Sequence, residues 1–251
     1  MDLSDHHLSV RLARDTAEIA AAQRLRYRVF VEELGASTDA APGLERDAFD
    51  AHARHLILLD DRRPGEVVGA YRLIHADAAA RAGGFYSEGE YDLGPLKASG
   101  RRLLELGRSC VHPDYRGGSA VLRLWQGLAE HVLAHRIEVL FGVASFHGTE
   151  VKPVAEALSL LHHRFLAPPD LRVRARPDGF QRMDLIPAER IDRAAAMRAT
   201  PALIKAYLRL GGAVGEGAFI DRQFNTIDVC LVMDTAAMSD EARRRYAGSV
   251  A

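Results

Sequence analysis

The stretch "VHPDYRGGSAVLRLWQGL", residues 111–128, decides the fold. Apolar residues end at His112, a turn follows with Arg116, Gly117 and Gly118, and an amphipathic run then opens at Ser119. A strand entering a glycine turn that starts a helix brings unpaired backbone N–H groups and a positive dipole end to one point, and glycines let a ligand approach that point closely. The arrangement suits a pyrophosphate or phosphopantetheine, although a bare strand-to-helix corner reads the same way. It is not a Walker loop, because the Lys-Ser/Thr ending is missing, nor a GxGxxG turn.

Outward from this corner the periodicities alternate. "RLLELGRSCVH" (102–112) reads as a strand before the turn, "IEVLFGVASFHG" (137–148) as a strand after the helix, and "TEVKPVAEALSLLHHRF" (149–165) as a helix opening near Pro153. Upstream, "LSVRLA" (8–13) alternates as a strand does. Residues 15–34 read as one helix, with Asp15 as N-cap and Glu18 as its capping-box partner. "RHLILLDDRRPGEVVGAYRLIHA" (54–76) reads as a hairpin turning through "DDRRPGE". Residues 76–100 read as a loop. Near the end, "AAAMRATPALIKAYLRLG" (194–211) reads as helical and "TIDVCLVMD" (226–234) as a strand. The expectation is one α/β domain over 1–251, with a mixed sheet and a helix–turn–strand extension from about 188.

Composition narrows the function. Hydrophobic content of 48% and charged content of 27% are those of a globular chain, and a formal net charge of −1 gives no global field for nucleic acid. "MDLSDHHLSVRLARD" has no continuous apolar run, so no signal peptide is expected. No stretch approaches the ~20 apolar residues of a membrane span. Two cysteines, Cys110 and Cys230, make no disulfide framework. Among eleven histidines, His6-His7 and His162-His163 are adjacent pairs, and HExxH and CxxC are absent. No metal and no bound cofactor are therefore expected, and the expected location is the cytoplasm.

Charged residues gather around the corner in sequence order. "ERDAFD" (45–50) places Glu45, Asp47 and Asp50 before a buried strand, and Glu45 and Asp47 share a face on an extended segment. Taken with "RYRVFVEELG", "VVGAYRLI", "LELGRSCVHPDYRGG" and the tail "YLRLGGAVGEGAFIDRQFNTIDVCLVMD", the chain resembles the GCN5-related N-acyltransferase superfamily. Within it the ordered set, covering roughly 20–235, resembles the acyl-homoserine-lactone synthases and more closely the ornithine N-acyltransferases. The resemblance implies a mostly antiparallel mixed sheet with one parallel, splayed strand pair. It also implies transfer of a (3R)-3-hydroxyacyl group from acyl carrier protein to the α-amine of L-ornithine, giving lyso-ornithine lipid. The alternatives are transfer to glutamine or another amino acid, a homoserine-lactone synthase, and a non-catalytic acyl-carrier-binding module. The synthases usually carry a tryptophan after the "RxxVF" helix, whereas here Trp125 lies in the later helix.

By motif, the resemblance assigns Glu45, Asp47, Asp50 and Glu105 to the catalytic set and Arg28, Arg72 and Arg108 to the amino-acid substrate. Asp228 is a further candidate for the acceptor. The chemistry agrees: acids can bind an ammonium and one can take its proton, arginine can fork onto a carboxylate, and backbone N–H groups near Cys110 and Val111 can hold the oxyanion. Cys110 could instead be an acyl-enzyme nucleophile, with His112 as its nearest candidate base. Direct transfer is the expectation, since no histidine is identifiably placed to activate the thiol. Val111, Arg116, Gly117 and Gly118 would hold phosphopantetheine. Ser119 stands where the superfamily commonly has glycine, which favours a carrier-protein arm, with no adenylate to hold, over coenzyme A. In "HHRFLAPPDLRVRARPDGFQR", Arg172, Arg174 and Arg176 alternate and would face an acidic carrier protein together. Release of a lipid product would involve at most transient membrane contact.

Overall fold

The computed structural model describes residues 7–37, 40–117 and 119–238. In chain order the first elements are strand β1 (Leu8–Leu12), helix α1 (Thr16–Arg26), strands β2 (Arg54–Asp60) and β3 (Val67–His75), and helix α2 (Ala76–Ala82). Then come strand β4 (Tyr91–Asp92), helix α3 (Gly94–Ala98), strand β5 (Leu103–Val111), helix α4 (Ala120–Ala134), strand β6 (Val139–His147) and helix α5 (Ala155–Phe165). Strands β7 (Arg174–Ala175) and β8 (Phe180–Gln181) precede helices α6 (Arg193–Ala199) and α7 (Ala202–Arg209). Strands β9 (Ala213–Val214), β10 (Ala218–Asp221) and β11 (Thr226–Asp234) follow. The chain divides into two compact units, one drawn from residues 7–83 and 106–136, the other from 84–105 and 137–238.

In the first unit, β1, β2, β3 and the later part of β5 lie side by side. β1 and β2 run antiparallel, as do β2 and β3, whose hairpin turns through the segment read for it. Every residue of β3 from Val67 to Ile74 is buried, which fits a strand covered on both faces. α1 packs on β3, and α4 lies across β1, β2 and β3. Two glycines permit that close approach. A Cβ on Gly127 would come within 2.8 Å of Val10, and one on Gly69 within 2.9 Å of Leu124.

Asp15 caps α1 as expected, accepting from the Glu18 N–H at 2.9 Å. Glu18 turns instead to the Arg14 N–H and to Arg11. The helix read as continuous to residue 34 ends at Arg26 and widens into a π turn over Tyr27–Glu33. That segment, "YRVFVEE", is rich in β-branched and aromatic residues, which fit a tight α turn poorly. Residues 76–100, read as a loop, contain α2 and α3. The alanines of "ADAAARA" make α2, and Gly83, at φ 87°, ends it.

In the second unit, Leu103–Glu105 of β5 pair in parallel with Val139–Phe141 of β6, and β6 pairs antiparallel with β11 over nine residues. β10 and β8 continue the sheet. The run 194–211 is helical but broken at Thr200–Pro201 into α6 and α7, because proline restricts the residue before it and cannot donate its own N–H. The architecture is the expected one: an α/β fold with a mostly antiparallel mixed sheet, one parallel strand pair and flanking helices.

Candidate active site

Three acids and three arginines of the first unit close a ring of alternating charge. Arg26 gives Nε to Glu45 at 2.5 Å and forks onto Asp50 at 2.6 and 3.1 Å. Glu45 also accepts from Arg108 Nε at 3.0 Å, and Arg108 Nη2 reaches Asp47 at 3.0 Å. Arg72 Nη1 then donates to Asp47 at 2.6 Å and approaches Asp50 at 3.5 Å, returning the circuit to Arg26. Four segments supply it: the end of α1, the 45–50 segment, β3 and β5.

Local chemistry shapes each contribution. Asp47 caps a 3-10 turn over Ala48–Ala51, accepting from the Phe49 N–H, while Asp50 accepts from the Asp47 N–H. This capping box holds two acids of the "ERDAFD" segment in fixed orientation. Arg108 has a left-handed φ of 51°, a conformation that costs a non-glycine residue energy and persists where surroundings enforce it. Its two carboxylate partners supply that enforcement.

Exposure separates the acids. The side chains of Glu45 and Asp50 are 4% and 6% exposed, whereas that of Asp47 is 24% exposed. Asp47 is therefore the edge at which the ring meets solvent. Burial would push the Asp50 carboxyl up, but the Arg26 hydrogen bonds and the charges of Arg26 and Arg72 outweigh it and hold the group at about 2. Asp50 is thus an electrostatic partner with little basicity at neutral pH.

The structure departs from the motif reading at one arginine. Arg28, expected in this cluster, is exposed and meets His112 Nε2 at 2.5 Å, and Arg26 takes the place in the ring. Arg26 lies four residues after the fully buried Ala22, on the buried stripe of α1, which is the signal that could have singled it out. His55 was also missed. It is buried, with Nε2 3.2 Å from the Asp50 carbonyl oxygen and 3.9 Å from its carboxylate.

At the glycine turn, Arg116 pairs with Glu33 at 2.5 and 2.8 Å and gives Nε to the Val111 carbonyl at 3.2 Å. Gly117 has φ 79° with nothing within 4 Å of an added Cβ, so backbone conformation rather than packing calls for glycine there. Gly118 lies outside the described residues. An open cleft of about 570 Å³ borders this turn, lined among others by Asp60, Arg62, Arg63, Tyr115, Arg116 and Ser119.

Residues 25–126 match the acetyltransferase (GNAT) domain family. The chain is 62% identical over 244 residues to the L-ornithine N(alpha)-acyltransferase of Rhodobacter capsulatus, covering 94% of this chain and 93% of that one. It is 46% identical to the protein of the same name from Brucella abortus, over 92% of this chain and 86% of that one. The chain belongs to the L-ornithine N(alpha)-acyltransferase family. It is an acyltransferase. Solved structures show the same fold at low identity. The acyl-homoserine-lactone synthase LasI superposes with a TM-score of 0.53 at 17% identity, over 98% of this chain and 97% of that one. FeeM, an N-acyl amino acid synthase from uncultured soil microbes, gives 0.55 at 13% identity, over 94% and 97%.

In this family member the remaining expected site residues lie in the second unit. Glu105 is buried and accepts from the Tyr86 and Ser87 N–H groups at 2.8 and 2.6 Å, so its carboxylate holds backbone. Asp228 is buried on β11, near the carboxylates of Glu90 and Asp221, and burial pushes its carboxyl up to about 6. Val173 and Ala175 are buried while Arg174 and Arg176 are exposed and Arg172 is half-buried, the alternation read from sequence. Arg174 pairs with Glu216 at 2.7 Å, and Arg172 donates to the Ala167 carbonyl.

Cys110 packs in the core against Ala22, Leu25 and Ile57, among others. Burial pushes its thiol up to about 12, far from a nucleophilic thiolate. His112 Nδ1 accepts from the Asp114 N–H, and its Nε2 lies against the Arg28 guanidinium rather than the Cys110 thiol. Cys110→Ala is expected to retain most turnover at a stability cost of about 1 kcal/mol. Intact-mass spectra of the wild type during turnover should show no acylated protein. A folded but inactive variant, together with an acylated Cys110 in the wild type, would overturn direct transfer.

Proposed function

We propose that this chain transfers a (3R)-3-hydroxyacyl group from the phosphopantetheine thioester of an acyl carrier protein to the α-amine of L-ornithine, giving lyso-ornithine lipid as the first step of ornithine lipid synthesis. The observation that carries this reading is the charge ring with Asp47 at its solvent edge, in a chain so similar to proteins named L-ornithine N(alpha)-acyltransferase.

The chemistry needs little else. The thioester is already activated, but the acceptor arrives as an ammonium without a lone pair. Asp47 takes one proton, and the freed amine attacks the thioester carbonyl. Backbone N–H groups near Cys110 and Val111 stabilise the oxyanion, the C–S bond breaks, and the thiol leaves with a proton while the amide forms. Arg72 and Arg108, each already bound to Asp47, supply cations for the acceptor carboxylate. The turn at Val111, Arg116 and Gly117 and the start of α4 take the phosphopantetheine arm.

The test is thiol release from 3-hydroxyacyl-carrier protein with a panel of amino acids, read together with product mass. Ornithine should give the largest kcat/KM. Preference for glutamine would transfer the assignment to that acceptor, a lactone product from S-adenosylmethionine would make the chain a signal synthase, and no amino-acid-dependent release would leave a binding module.

The exposed pair Arg174 and Arg176 forms part of the face for the acidic carrier. Reversing both to Glu is expected to raise the carrier KM by about 10-fold, equivalent to about 1.4 kcal/mol. The effect should shrink with added salt, because exposed charges are screened beyond ~8 Å near physiological ionic strength. Turnover of a short pantetheine thioester should hardly change. Equal loss with both donors would assign the arginines to folding, and equal efficiency of acyl-coenzyme A and acyl-carrier protein in the wild type would remove the carrier from the proposal.

A further inference from the structure

We propose that His75, His131 and His135 form a binding site for one borderline-soft transition-metal ion, of the zinc class, distinct from the acyl-transfer residues. Sequence alone argues against a metal, because the conspicuous histidine pairs are adjacent and HExxH is absent. Yet His131 and His135 stand at i and i+4 on α4, one above the other on the same helix face. The tertiary structure adds His75, the last residue of β3.

One ring nitrogen from each of the three residues lies within 4.8 Å of one from each of the others. His75 Nε2 and His131 Nε2 are 2.8 Å apart, so without metal they share one proton between two lone pairs. A tetrahedral centre with metal–nitrogen bonds of about 2.05 Å needs about 3.3 Å between ligand atoms, so the rings must part by about half an ångström. The third ring has its tautomer set, and because it stacks on His131 with centroids 4.1 Å apart it must turn to aim at a shared ion. His135 Nδ1 lies 2.9 Å from the His131 carbonyl oxygen, so it must be the protonated nitrogen. In the neutral ring Nε2 then carries the lone pair, the arrangement by which proteins orient metal-binding histidines.

The donor set selects the ion. Three imidazoles without a thiolate or carboxylate suit zinc, cobalt, nickel or copper rather than calcium or magnesium. Arg54 opposes any cation, since its Nη1 lies 3.4 Å from His135 Nε2, but its side chain is exposed and can swing away. His131 sits eleven residues along α4 from Ala120, or about 17 Å from the helix start beside the glycine turn. The metal would therefore tie the end of β3 to the far end of α4 and brace the first unit, rather than act on the thioester.

The experiment uses the full chain carrying no affinity histidines, stripped with chelator and titrated with Co²⁺. The expected result is one saturable equivalent, with the visible absorption of nitrogen-coordinated cobalt, displaced by Zn²⁺ and accompanied by a higher unfolding midpoint. His75→Gln and His135→Gln, both at half-buried positions, should each weaken binding by more than ~100-fold, since even outer-shell partners are worth 10–100-fold. His7→Gln and His163→Gln should leave it unchanged. Absence of a saturable equivalent in the wild type overturns the site, as does binding that survives either ligand substitution or is lost with His7→Gln or His163→Gln.

Discussion

Asp47→Asn is expected to lower turnover by about 10²-fold or more at saturating acceptor, the usual scale for a lost acid–base group, while leaving the protein folded. Asparagine is as good an N-cap as aspartate and keeps an oxygen for the Phe49 N–H, so the turn over Ala48–Ala51 should survive. What is lost is the one ring carboxylate with appreciable solvent access, and with it the group able to meet an incoming ammonium. Glu45→Gln is the informative companion. Glu45 is buried between Arg26 and Arg108, and neutralising it leaves the ring with a net positive charge that repels an ammonium. Asp47→Asn leaves the same net charge, so both variants should raise the acceptor KM, and the larger fall in kcat should belong to Asp47→Asn. Near-normal turnover of Asp47→Asn would remove Asp47 from proton transfer. A loss confined to the kcat of Glu45→Gln would give that role to Glu45.

Arg26→Ala is expected to cost about 3–5 kcal/mol of stability, the scale for removing one partner of a buried ion pair. For a chain of this size that lowers the unfolding midpoint by about 10 °C. Arg26 is 1% exposed, and its guanidinium serves both Glu45 and Asp50, so its loss takes a charged partner from two buried carboxylates at once. Arg26→Lys should recover only part, because an ammonium cannot reproduce the fork. Arg28→Ala, at an exposed position, should stay within about 1 kcal/mol. Equal losses for Arg26→Ala and Arg28→Ala would contradict the ring. The same pairing sets an acid limb. Asp50 has its carboxyl at about 2 when folded against 3.8 ordinarily, so its contribution of about 2 kcal/mol is complete above pH 4 and disappears as pH falls through 2. Asp50→Asn should flatten that part of the stability curve.

Much of the fold was legible because it is written in local periodicity. The β2–β3 hairpin, the Gly117 turn into α4, the strand β11 and the cap at Asp15 each depend on residues a few positions apart. The elements that were misread failed for local reasons too. Alanine-rich "ADAAARA" forms a helix inside an expected loop, Pro201 divides one expected helix into two, and the "YRVFVEE" run widens the end of another.

By itself the sequence determined the order of the α/β elements, the strand–glycine–helix corner and the grouping of Glu45, Asp47 and Asp50, because Asp47 caps the turn that carries Asp50. Only the tertiary structure decided which arginines join those acids. The ring contacts span 19, 22, 24, 25, 61 and 63 residues. Such pairings depend on the rotational phase of α1, the register of β3 and the left-handed turn at Arg108, none of which a local motif specifies. The two-residue step from the last residue of α1 into the π turn carries a side chain through about half a revolution, which is why Arg26 enters the ring and Arg28 faces out. The same limit hid the histidine cluster: the i, i+4 pair on α4 is local, but its third member comes from a strand 56 residues away.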